Sequence, residues 1–245
     1  MSIAEKFEVI ADEVYEKGKK DEYDKFWDEY QNYGNATYYN YAFFSGRFNF
    51  ENFYPKYDIR PVGGSGQNMF YNWKVAVGKF VGSLKQRLEE CGVVLDTSQC
   101  TLMASCFTYG GFTEIPTIDL SNLTTASAAI FAYNYGYLKT IEKIIMSENT
   151  VISANWFAED TALENLTIEG TIGQNNFNVK DCKKLSGASI VSIIEALSTT
   201  TSGLSVTLSQ TAVDNMVFPI TGNKGTYNSW TELEQTRTNW TISLV

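Results

Sequence analysis

The stretch "FAEDTALENLTIEG", Phe157 to Gly170, sets Glu159, Asp160, Glu164 and Glu169 among Leu163, Leu166 and Ile168. Either the acids form the paired carboxylates of a glycosidase, or the apolar residues mark one unit of a repeat and the acids are its polar complement. A glycosidase needs two carboxyl groups flanking one bond, about 5 Å apart for retention or about 6.5–9.5 Å for inversion, in a cleft that raises one pKa. Consecutive Glu159 and Asp160 in a turn are expected to be solvated. Glu164 and Glu169 fall at polar strand positions, facing away from Leu166 and Ile168. Carboxylate-based glycan hydrolysis is therefore the remote reading.

The apolar residues recur. "CFTYGGFTEIPTIDLSN" and "IFAYNYGYLKTIEKIIMSEN" align with "WFAEDTALENLTIEGTIGQN": Phe107, Phe131 and Phe157 open each unit, then Phe112, Leu138 and Leu163, then Ile115, Ile141 and Leu166 three residues on. That spacing predicts stacked supersecondary units, none of which buries its apolar edge alone. Strand alternation then lines one face with Thr117 and Asp119, Lys143, and Thr167 and Glu169. Tyr133, Tyr135 and Tyr137 crowd the turn entering the second unit. These eight residues are the candidate binding face.

Composition closes off several chemistries. The 245 residues contain no histidine, which removes the commonest general base, the commonest zinc ligand and any Ser-His or Cys-His pair. Cys91, Cys100, Cys106 and Cys182 have no metal-finger spacing and read as buried free thiols. No cofactor is expected. A net charge of −9 argues against a nucleic-acid partner, and no apolar run of membrane-spanning length occurs.

At the start, Ser2 and Glu5 form a capping box for a helix to about Gln31, and Ile3, Phe7, Ile10 and Val14 make a narrow apolar seam that must dock, either on the chain's own domain or, as a self-associating coil or an anchor, on a larger assembly. The first residues lack the pattern of an export signal, so synthesis in the cytoplasm without export is expected. A Tyr-rich segment follows, then a helix through Glu90 that stops at Gly92 and passes into a short Val-rich strand. Later, Ile190, Ile193, Ile194 and Leu197 mark a buried helix face, "GLSVTLSQ" a strand, Ser229 with Glu232 a capped helix, and "NWTISLV" a last strand.

Leu163, Leu166 and Ile168 fit a Leu-x-x-Leu-x-Leu core, and Asn149, Val151, Phe157 and Leu163 occupy the places of Asn, Val, Phe and Leu in BspA-type repeats. From about Leu95 to Leu197 the chain resembles the BspA-type leucine-rich repeats of bacterial surface proteins. Its whole organisation, including "YPKYDIRP", is similar to small repeat proteins encoded in bacteriophage and prophage genomes near tail genes. The resemblance implies an α/β (α+β) solenoid, a short irregular leucine-rich repeat with an N-terminal helix and helical capping elements. The expected regions are an anchor over 1–34, a Tyr-rich cap over 35–94, repeat units over 95–198 and a C-terminal cap over 199–245. The implied function is that of a non-enzymatic virion protein, homo-oligomeric or anchored to other virion proteins through its first helix, that binds a host-surface glycan or protein. A bacterial cell-surface adhesin is the alternative.

Overall fold

A computed structural model of the chain describes residues 54–55, 58–61, 64–71, 82–153 and 155–245. The expected anchor helix with its seam Ile3, Phe7, Ile10 and Val14 lies outside the described residues. So do most of the Tyr-rich segment and residues 72–81 of the helix expected before Gly92.

That helix, α1 (Leu84–Cys91), begins only after a short strand, β1 (Gly82–Ser83), which pairs with the strand containing Phe112. Ser83 ends the strand and caps the helix, its hydroxyl accepting from the Gln86 N–H. Gly92 closes the helix at φ 67°, in the left-handed region where only glycine is unstrained. Beyond it the expected Val-rich strand is reduced to one bridge, Leu95 to Ile59.

The three repeat units supply β2 (Phe112–Ile115), β3 (Ile118–Asp119), β4 (Thr140–Met146) and β5 (Asn165–Gly170). All pair in parallel on β4, with Ile115 opposite Ile141 opposite Leu166, and Ile118 opposite Ile144 opposite Ile168. Beneath this sheet runs a column of buried rings. Phe70, Phe107, Phe131 and Phe157 stack at 5.3, 5.6 and 5.4 Å within 15° of coplanar, and Phe177 adds a tilted ring at 5.6 Å. Each aromatic pair contributes about 0.5–1.5 kcal/mol beyond the area it buries.

Among the described residues the expected solenoid does not form. The chain folds as an α/β domain whose strands divide among three sheets, with four short helices among the described residues. One local feature interrupts the ladder and another ends it. Pro116, which has no N–H, lies between β2 and β3 and leaves two short pieces where one strand was expected. On the far side of β5 stands a helix, α2 (Gly187–Ala196), in place of a fourth strand. The Leu166 N–H donates to Ser189 Oγ at 2.9 Å and the Ile168 N–H to Ser192 Oγ at 2.8 Å, while the serine hydroxyls donate back to Glu164 and Ile168 carbonyls. The ladder's edge is thus satisfied by side chains, and strand addition stops.

The strands that follow β5 form separate sheets. The strands β6 (Phe177–Asn178), β7 (Leu204–Leu208) and β10 (Trp240–Leu244) are parallel in the order β10-β7-β6, and β8 (Ile220–Thr221) pairs antiparallel with β9 (Thr226–Tyr227). Helix α3 (Gln210–Asp214) follows β7, and α4 (Trp230–Gln235) starts at Ser229, which accepts from the Glu232 N–H. From Ser189 to Ala196 helix α2 is buried on all sides, Glu195 included. Its last carbonyls, Glu195 and Leu197, accept from the Arg237 guanidinium at 2.8 and 3.0 Å, a charged C-terminal cap.

Candidate functional site

The register sets Asp119 and Glu169 on either side of Ile145, and Thr117, Lys143 and Thr167 each lie two residues before one of these. Only part of this face holds together as a site. The Thr117 N–H and hydroxyl both donate to Glu142 of β4 at 3.1 Å. Asp119 turns back on its own chain to accept from the Ser121 N–H. Lys143 donates to Glu169 at 2.6 Å, and that hydrogen bond raises the lysine pKa.

Lys143, Thr167 and Glu169 form one wall of a cleft of about 420 Å³, with Ser192 and Glu195 of α2 and Asn223 and Lys224 of the β8–β9 turn on the other. Its charges already serve the fold. The Glu195 carboxylate accepts from the N–H groups of Asn223 and Lys224 at 2.7 and 2.8 Å and from the Tyr227 hydroxyl at 2.9 Å, and Lys224 donates to the Glu195 carbonyl. Burial first, and then this bond to Glu195, pushes the Tyr227 hydroxyl up to about 12. The cleft is a latch that fixes the hairpin on α2.

The tyrosines gather elsewhere, and into a larger group than expected. In each unit the residue two past the Phe anchor has a left-handed backbone: Tyr109 at φ 56°, Tyr133 at 62° and Glu159 at 62°. The shared conformation aims these side chains alike, so Tyr109 and Tyr133 stack at 5.2 Å and 16°. Tyr71 meets Tyr109 edge-on at 6.0 Å, and Tyr135, 44% exposed, touches both Tyr109 and Tyr133. Tyr137 is half-buried, and its N–H donates to the Asn134 carbonyl. Burial and the neighbouring tyrosines raise the Tyr109 pKa. Tyr71 and Tyr109 escaped the sequence reading, although the Phe spacing equates Tyr109 with Tyr133.

Past Tyr133 the stack ends at a polar cleft of about 220 Å³ lined by Asn155, Glu159, Asn178, Lys180 and Asp181 as well as the ring. Asp181 accepts from the Glu159 N–H at 3.2 Å, and Asn178 from the Lys180 N–H at 3.0 Å.

The acids of the opening stretch separate. Glu159 is exposed, but Asp160, expected in solvent, is 0% exposed. Its Oδ1 accepts from the Asn134 N–H at 3.0 Å, its Oδ2 has no partner among the described residues, and burial pushes its pKa well above the carboxylate range. Glu164 precedes β5 and is half-buried, its carbonyl accepting from Ser186 and Ser189. One acid on the surface and its neighbour in the interior cannot flank a common bond. The thiols of Cys106 and Cys182 are held protonated by burial, and that of Cys100 is pushed up to about 12. Among the described residues no group of three or more acidic or thiol side chains could hold a metal ion, and no helix is long and apolar enough to cross a membrane.

Comparison with protein-family models, curated proteins and solved structures found no match.

Proposed function

We propose that the protein is a non-enzymatic bacteriophage virion protein whose tyrosine-bearing turns bind a host-surface glycan or protein. The observation that carries this reading is the group Tyr71, Tyr109, Tyr133 and Tyr135, held in mutual contact on successive turns and continuing into a polar cleft. Tyrosine offers a large amphipathic surface with few rotatable bonds, so a partner gains contact area at a small entropic cost. Turns fixed by a sheet and a packed Phe column keep those rings in place before binding.

The likeness of the central segment to repeats of bacterial surface proteins supports a recognition role, and the likeness to proteins encoded near tail genes supports a place on the particle. The seam Ile3, Phe7, Ile10 and Val14 is suited to holding copies together or to the particle. Two measurements test the reading. Removal of residues 1–34 is expected to change the oligomeric state by light scattering and to abolish incorporation into particles. The full chain is expected to bind a component of a glycan array or of isolated host envelope, and Tyr135→Ser to weaken that binding. Unchanged incorporation refutes the anchor; absence of any bound envelope component refutes recognition.

A further inference from the structure

We infer that the 220 Å³ cleft beside Tyr133 is a subsite for one neutral, hydroxyl-rich sugar ring, which stacks on Tyr133 in the place of the missing next ring of the tyrosine ladder. This rests on the glycan reading above and specifies its chemistry. Tyr109, Tyr133 and Glu159 occupy one turn position in three consecutive units and share a left-handed backbone. The first two rings stack at 5.2 Å. In the third unit a carboxylate replaces the ring, and the cleft lies between it and Tyr133.

Size and lining narrow the occupant. The volume falls below the range of about 300–1,000 Å³ usual for drug-sized ligands, which suits a single ring with its chain continuing into solvent. Tyr133 supplies the aromatic wall, and around it stand two carboxylates, two carboxamides and one ammonium group. Among the described residues the side chains of Asn155, Glu159 and Lys180 make no hydrogen bond or ion pair. Carboxylates accept and the ammonium donates, so hydroxyls, which do both, can satisfy the whole set. Glu159 and Asp181 together outweigh Lys180 and repel an anionic sugar. A flat aromatic ligand would stack equally well but would leave most of these polar groups desolvated and unpaired.

The test uses the full chain, saturation-transfer NMR and titration with neutral hexoses and N-acetylhexosamines, their short oligomers, and a uronic acid as the anionic control. Glu159→Tyr supplies the missing ring from the protein itself; it is expected to fold, to extend the stack and to weaken sugar binding at least about tenfold. Asn155→Ala, an exposed change that leaves the ladder intact, is expected to weaken binding as well. If the wild-type chain binds a glycan and neither variant weakens it, the subsite is refuted while the recognition reading stands. Equal affinity for the uronic acid refutes the neutral class. If no glycan binds the wild-type chain, the glycan reading falls and the subsite with it.

Discussion

Replacing Asp160 with asparagine should make the protein more stable, and increasingly so as pH rises. One unit earlier Asn134 shows what the position needs: its Oδ1 accepts from the Gly111 N–H at 3.2 Å, and its amide donates to the carbonyls of Phe107, at 3.2 Å, and Phe131. Asp160 keeps the first kind of bond but has no proton with which to make the second once ionised, and Oδ2 stays buried and unpartnered. A buried acceptor left unpaired costs about 1–3 kcal/mol. Taking about 2 kcal/mol, and about 2–4 °C per kcal/mol for a chain of this size, Asp160→Asn should raise Tm by about 4–8 °C near pH 8. Burial raises the folded pKa while the unfolded value stays near about 3.9. The stability given by the neutral carboxyl is therefore complete below that unfolded value. It is lost as pH climbs toward the folded pKa, at about 1.4 kcal/mol per unit. Thermal unfolding followed by circular dichroism at about pH 4.5, 6 and 8 should show the two proteins converging at the acid end and separating above it. A variant that is less stable at every pH, or a difference that does not vary with pH, would refute the reasoning.

Three further outcomes are expected. Ser189→Ala with Ser192→Ala leaves the Leu166 and Ile168 N–H groups without acceptors and should cost about 2–6 kcal/mol in denaturant unfolding, with the loss of amide protection concentrated in β5. At Gly170, φ is 91° and a Cβ would lie 2.0 Å from the Met146 carbonyl oxygen, so Gly170→Ala should destabilise by at least about 2 kcal/mol. Glu169→Gln removes only an exposed ion pair with Lys143, and a change beyond about 1 kcal/mol would mean the pair is coupled to the latch at Glu195.

Local signals and local spacing were readable in the sequence; long-range substitutions were not. The caps at Gly92 and Ser229, the α2 face of Ile190, Ile193 and Ile194, and the Phe anchors Phe107, Phe131 and Phe157 each depend on residues within one turn or one repeat, and each occurs where expected. The solenoid failed because a sequence period does not say which element takes the next place beside a strand. Here that place went to a helix whose serines stand in for backbone acceptors. Asp160 was misread because its burial depends on a contact with Asn134, 26 residues away, whereas adjacent acids in a turn suggest solvent. At the candidate site the tyrosines of one turn were visible, while the cleft required Asn178 and Asp181 from a later segment. The latch at Glu195 joins residues 28 to 32 apart and left no local trace.

The serine-lined side of α2 has a consequence for how copies of this chain coexist. A parallel strand with free N–H groups along its margin can template the same strand from another molecule, and successive additions would grow a filament. Because Ser189 and Ser192 occupy that margin from within the chain, detachment of α2 is the step that would open β5 to such recruitment. The Arg237 guanidinium, bound to the carbonyls at the end of α2, therefore does more than finish a helix: it helps hold the two serines against that margin.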